Sequence, residues 1–262
     1  MSNLQERLER ACERINTPAF IADDPVQFPH RFEALADVEL AALLASVIAW
    51  GKRQMIIRDG NRLLDMMDNR PLDYLMSRRW QELDPQLNIH RTCFARHLQY
   101  LLRGLYEVYS RYGSLQAFAA SIGTDKAEAP SWHLIDALGR LCRDMNHGDT
   151  CPEVIPSNLQ STALKRYNMA LRWLVRDDGK VDLGAWSLLR PAQLFIPLDV
   201  HVANTSRALG LLSRKSNDRK AVELLTARLR DFDPTDPVKY DFALFGIGIE
   251  ESKLLPRTNN HS

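Results

Sequence analysis

Two charged residues each open a predicted helix, and chemistry would be placed at those two points. In Ile196-Pro197-Leu198-Asp199-Val200-His201-Val202-Ala203-Asn204-Thr205, a proline and an extended dipeptide lead into a helix running to about Leu209, with Gly210 as its stop. Asp199 falls at or next to the N-cap. A carboxylate there accepts backbone N–H groups and is worth about 1 kcal/mol of helix stability. The same N–H dipoles favour negative charge. A fixed anion of that kind suits a reaction that passes through a sugar cation. Upstream, the run from Ser161 to Trp173 reads as a second helix, with Leu164, Tyr167 and Leu171 as its buried stripe. Lys165, Asn168, Arg172 and Arg176 recur at i, i+3, i+7 and i+11 and make a polar, basic stripe. That stripe is either a solvated face, or a row in which Lys165 reaches a pocket while the arginines track phosphates.

The elements that must position these residues are helical. Leu98, Leu101, Leu102, Leu105, Tyr109 and Tyr112 share one face, and Gly113 follows as a stop. Pro130-Ser131 opens another helix, with Leu134, Ile135, Leu138, Leu141 and Cys142 on one side. Turn-rich connections run from Gly123 to Pro130, from Gly148 to Pro156, through Asp177-Asp178-Gly179-Lys180, and through Asp233 to Pro237. No alternating segment bounded by hairpin turns is visible, so no sheet is predicted. The expectation is an all-α fold of about ten helices in one unit spanning 1–262. A central lobe of about 50–155 would face a second lobe built from about 1–49 and 156–262, with the site in the cleft between them. The tail from Pro256 to Ser262 is expected to fray.

Composition narrows the function classes. The chain of 262 residues is 45% hydrophobic and 26% charged, as folded globular proteins are. Its N-terminus is charged and helical and lacks the apolar core of a signal peptide. The apolar stretch from Val38 to Trp50 is broken by Glu39 and is too short for a bilayer. A soluble, cytoplasmic protein with no membrane partner is expected. Cys12, Cys93, Cys142 and Cys151 match no zinc or iron–sulfur spacing, so they read as buried thiols, and neither metal nor cofactor is predicted. A net charge of +1 excludes a uniformly basic surface. Any phosphate-binding surface must be local, with Lys52, Arg53, Arg58 and Arg62 as one cluster and Arg207, Arg214, Lys215, Arg219 and Lys220 as another.

At this point a resemblance becomes specific. The string PLDVHVANTSRALGL resembles the segment of helix-hairpin-helix DNA glycosylases that carries their catalytic aspartate, and KRYNMALRW resembles the helix that begins with the lysine of the bifunctional members. The archaeal 8-oxoguanine glycosylase branch is the most similar, because an extended insertion separates its lysine and aspartate too, as one separates Lys165 and Asp199 here. The chain also resembles an uncharacterised bacterial family placed in that superfamily. The strong part covers about 50 residues. Weaker similarity extends to Ala41–Gln54, where those enzymes have a buried helix ending in a DNA-facing turn, and to Tyr240–Ile249 as their last core helix. Three features depart from the pattern. Ser157–Ala163 stands in place of the Leu-Pro-Gly-x-Gly hairpin, no Cys follows Cys151 to hold an iron–sulfur cluster, and Trp50-Gly51-Lys52-Arg53 replaces the Ser-Gln wedge.

The resemblance implies base-excision repair of double-stranded DNA by a monomer at the bacterial nucleoid. A damaged base, with an oxidised purine such as 8-oxoguanine favoured, would be flipped into a pocket. Asp199 would stabilise the sugar cation, and Lys165 would attack C1′ and go on to a β-lyase step. Lys52, Arg53, Gln54, Arg166, Arg172, His201 and Arg207 would contact DNA, and Trp50, Trp173 and Phe195 would line the base pocket. The same residues also fit a non-catalytic DNA- or lesion-binding protein that keeps the fold, and the neutral charge leaves room for a helical interaction module that binds no nucleic acid.

Overall fold

Eleven α-helices form among the residues that the computed structural model describes, 3–254, with side chains described through residue 250. They are α1 (Asn3–Ile15), α2 (Leu35–Val47), α3 (Arg53–Met66), α4 (Pro71–Met76), α5 (Ala95–Tyr112), α6 (Leu115–Ser121), α7 (Pro130–Met145), α8 (Lys165–Val175), α9 (Val200–Ala208), α10 (Arg219–Arg230) and α11 (Tyr240–Leu254). The fold is all-α, and short 3₁₀ turns fill several connections. The segment from Pro256 to Ser262, expected to fray, lies outside the described residues. Among the described residues no helix is long and apolar enough to cross a membrane.

Local chemistry explains many of the boundaries. Gly113 ends α5 in the left-handed region, and Ser114 caps α6 through the N–H of Ala117. Asp218 caps α10 in the same way through Ala221. The expectation of no sheet needs one correction. β1 (Asn88–His90) and β2 (Cys93–Phe94) pair antiparallel. The hairpin turns at Arg91, whose φ is 49°, and Asn88 clamps it by donating to the Arg91 carbonyl at 2.6 Å. Strands this short carry no readable alternation.

One contiguous core runs through the helices. α11 packs against both α1 and α9, and α2 packs against α8 and α4. α5 packs against α4, α6 and α7, and α7 also touches α8. The close approach of α11 to its neighbours requires glycine. A Cβ on Gly246 would lie 2.5 Å from Ile15, and one on Gly248 would lie 2.6 Å from the Thr205 hydroxyl.

Glu39 joins four elements from inside the core. It sits in the middle of α2 and is fully buried. Its carboxylate accepts from Tyr109 Oη at 3.0 Å, from the N–H groups of Leu115 and Gln116 at 2.8 Å each, and from Trp186 Nε1 at 2.8 Å. α2, α5, the start of α6 and the loop after α8 therefore meet on one side chain. Burial pushes the Glu39 carboxyl above its ordinary range, while the two backbone N–H bonds pull it back. Removing the acceptor leaves these donors buried and unsatisfied. Glu39→Ala is expected to destabilise the protein by about 3 kcal/mol or more. Urea unfolding measures this, and a loss below about 1 kcal/mol would contradict the assigned role.

Candidate active site

Asp199 occupies the N-cap of α9 with extended backbone, and its Oδ1 accepts from the N–H of Val202 at 2.9 Å. The lead-in chain is buried from Leu194 to Leu198 and is tied to α10 where Ile196 N donates to Thr226 Oγ1 at 3.1 Å. Lys165 is the first residue of α8. Leu164 precedes it at φ 48°, a left-handed conformation that costs a bulky residue about 1–2 kcal/mol. Its N–H donates to Thr162 Oγ1 at 3.3 Å, and Asn158 Oδ1 accepts from Gln160 N and Ser161 N. Hydroxyl and amide turns thus shape the segment where the resemblance would place a glycine-rich hairpin, and no helix forms there.

The two residues meet electrostatically on Asp241, in the first turn of α11. Burial, opposed by Arg172, aided by the Asp199 charge and opposed by the Lys165 charge, leaves this carboxyl raised to about 6. The same amine also reaches Asp24. Burial pushes that carboxyl up, a hydrogen bond from Val26 N pulls it down, and the charges of Arg172, Arg53 and Lys165 pull it down too. The Lys165 charge therefore acts on two largely buried carboxyl groups without pairing with either within 4.0 Å among the described residues, and one of them also senses Asp199. Asn168 lies one turn further along α8. It is buried, its Nδ2 donates to the Ala163 carbonyl at 3.1 Å, and its Oδ1 has no partner among the described residues. Lys165, Arg166, Tyr167, Thr162 and Asn217 line a cleft of roughly 300 Å³, which Asp199 does not line.

The polar stripe of α8 turns inward rather than outward. Arg172 is 3% exposed, so its expected role as a surface DNA contact is corrected. It pairs with Asp182 at 3.2 Å and with Asp241, and it stacks over Phe242 at 4.3 Å. Arg176 pairs with Asp178 at 2.5 Å, Asp182 at 3.0 Å and Asp236 at 2.7 Å. Burial works against both guanidinium groups, and the aspartates nonetheless hold them charged.

Two of the three expected pocket aromatics are also core. Trp173 is 0% exposed and Phe195 packs edge-on against Trp132 at 5.1 Å, so neither offers a ring face to a ligand. Trp132 itself, together with His133, Asp136, Gln160 and Arg219, lines a separate cleft of roughly 500 Å³. The sequence pattern around Asp199 gave no signal for Trp132, because α7 lies far from it in the chain. Trp50 is half-buried. Its carbonyl accepts from His90 Nε2 at 2.8 Å, and Arg166 stacks over its ring at 5.4 Å.

The remaining expected contacts divide into exposed and committed side chains. Lys52 and Gln54 are exposed at the start of α3, and His201 is exposed in the first turn of α9. Arg53 is exposed yet pairs with Asp24 at 3.7 Å and stacks over Phe245 at 5.0 Å. Arg166 donates to the carbonyls of Val47 at 2.7 Å and Glu153 at 3.0 Å. Arg207 holds the loop before α10 through the carbonyls of Arg214 and Lys215 and through Asn217 Oδ1, and so presents Asn217 to the smaller cleft. The two basic clusters are largely paired within themselves. Arg58 and Arg62 share Asp59, Arg214 pairs with Asp218, and Arg219 and Lys220 share Glu223.

Away from Lys165 and Asp199, the fold gathers His97, Cys151 and Glu153, whose potential ligand atoms all lie within 4.8 Å of one another. Cysteine spacing along the chain could not reveal this group, because His97 opens α5 and the other two residues lie beyond α7. Residues 24–250 match the model of a family described as Protein of unknown function (DUF2400). No curated protein and no solved structure matches the chain.

The Asp241 environment has a consequence for stability. Its folded-state carboxyl, raised to about 6, holds a proton that the unfolded chain releases near 3.8. Its contribution is therefore greatest below the ordinary carboxylate range and is lost as pH rises through about 6, by about 3 kcal/mol in all. Asp241→Asn should remove that fall. Urea midpoints at about pH 4 and pH 7 are expected to show the variant gaining on the wild type at the higher pH. A difference independent of pH would contradict this placement of Asp241.

Proposed function

The chain belongs to the DUF2400 family, and we propose from its site that it is a base-excision DNA glycosylase with a lyase step. It cleaves the N-glycosidic bond of a flipped-out damaged base in double-stranded DNA, an oxidised purine such as 8-oxoguanine being the favoured class. The observation that carries this reading is that Asp199 is fixed at the start of α9 and Lys165 opens α8 on a cleft that it lines, while the charges of both act on the largely buried carboxyl of Asp241. An amine and a carboxylate at two separate helix starts thus share a neighbourhood, and the amine lines a cleft.

The chemistry follows from those positions. Extruding the nucleotide brings C1′ to the edge of the cleft, between the Lys165 amine and the Asp199 carboxylate. Asp199, fixed by the N–H of Val202, supplies negative charge to the developing sugar cation. The Lys165 nitrogen adds to C1′ through its lone pair as the bond to the base breaks, and the base leaves with the bonding pair and takes up a proton. Asp199 or Asp241 receives the proton that the attacking nitrogen sheds. Ring opening gives a Schiff base, and loss of the C2′ proton expels the 3′ phosphate.

Lys52, Gln54 and His201 are exposed and available to phosphates, whereas Arg53, Arg166 and Arg207 add positive potential while already bound to protein groups. With so few uncommitted cations among these residues, binding should be weak and its salt dependence shallow. One observation favours a second reading, a lesion-binding protein without catalysis. The Ser157–Ala163 segment holds no glycine and no hairpin helix, so the usual backbone grip on a phosphate has no counterpart there.

Borohydride trapping separates the readings. Duplexes carrying 8-oxoguanine, uracil or an abasic site are mixed with the protein under reducing conditions. A covalent complex is expected that disappears in Lys165→Ala, with base release falling by about 100-fold or more in Asp199→Asn. Binding with neither trapping nor base release on any of these substrates would establish the non-catalytic reading. Absence of salt-dependent DNA binding would remove both.

A further inference from the structure

The His97, Cys151 and Glu153 group is built by three local devices. His97 occupies the first turn of α5 and is 7% exposed. Cys151, also 7% exposed, begins a tight turn in which the N–H groups of Val154 and Ile155 both donate to its carbonyl, at 3.2 and 2.9 Å. The turn leaves the Cys151 and Glu153 side chains together, with Sγ donating to the Glu153 carboxylate at 3.5 Å. α8 pins the turn from the other side, through Arg166 to the Glu153 carbonyl at 3.0 Å and Tyr167 Oη to the Val154 carbonyl. Three donor atoms of different kinds, from two distant parts of the chain, therefore sit on one rigid spot.

We propose that His97, Cys151 and Glu153 form a Zn²⁺ site that ties the turn after α7 to the start of α5. Imidazole, thiolate and carboxylate together are the donor set of a borderline-soft ion that prefers tetrahedral coordination. The thiolate and carboxylate carry two negative charges and match the dication. Glu153 is exposed, which leaves a fourth position for water on the solvent side. One demand competes for the imidazole, since Phe94 N donates to His97 Nδ1 at 3.2 Å. Ligation through Nε2 places the ring proton on Nδ1 and gives up that long bond. Bound metal would brace the turn that holds Arg166, the neighbour of Lys165, and the inference stands whether or not Lys165 is catalytic.

The test uses the full chain, purified without a chelating resin and assayed for bound metal, then loaded with Co²⁺ as a spectroscopic probe. One zinc per chain is expected, with a thiolate-to-cobalt charge-transfer band after exchange. Cys151→Ser should abolish the band. Glu153→Gln, an exposed change that leaves the core untouched, should weaken metal affinity by about ten-fold or more. No zinc, together with no band under a large excess of Co²⁺, would overturn the proposal. Metal binding undiminished in both variants would equally overturn it.

Discussion

A guanidinium group taken out of water must be paired, and α8 carries two of them, Arg172 and Arg176. Their partners come from three places: Asp178 and Asp182 in the loop that follows α8, Asp236 ahead of α11, and Asp241 in its first turn. This requirement fixes α8 against the start of α11 and folds the 177–183 loop back onto the helix, where Leu183 N also donates to the Trp173 carbonyl. Lys165 lies on the same helical stripe, two turns before Arg172. The direction in which its amine points is therefore set by the burial of the arginines below it. Removing one aspartate leaves a charge buried without its partner, a fault that ordinarily costs about 3–5 kcal/mol.

Asp199 reaches the same neighbourhood by an independent route. Its helix is brought to α11 by the close contact of Gly248 with Thr205, and its lead-in chain is held by Thr226 of α10. Two positioning systems thus converge on Asp241, one ionic and one steric. A further carboxylate, Glu39, secures α2, the helix on which α8 rests. Among the described residues each buried acid either accepts several hydrogen bonds or faces an arginine, and those demands dictate which helices touch.

The features legible in the sequence were the local ones. The helical periods, the Gly113 stop and the Asp199 cap depend on residues within a few positions of one another, so spacing along the chain reveals them. The stripe of Lys165, Asn168, Arg172 and Arg176 was visible as a stripe, but its direction was not. Its aspartate partners at 236 and 241 lie far along the chain, and a basic helical face with unseen partners reads as solvated. The same limit applies to Glu39, which reads in the sequence as a break in an apolar run because Tyr109, Leu115 and Trp186 reach it only in the fold. Trp173 and Phe195 followed the ordinary preference of aromatic rings for the core. The His97, Cys151 and Glu153 group is invisible in the sequence because its members belong to no motif, and only the packing of α5 against the turn after α7 assembles them.

The central claim is that the Lys165 amine serves a site which duplex DNA enters. It is tested most directly by reductive methylation of the lysines with and without a bound duplex that carries a non-cleavable abasic-site analogue, read residue by residue by mass spectrometry. The account predicts that Lys165 is modified in the free protein and protected in the complex, with the protection lost when salt dissociates the duplex. Equal modification of Lys165 in the free and bound states, under conditions where binding is complete, would contradict it.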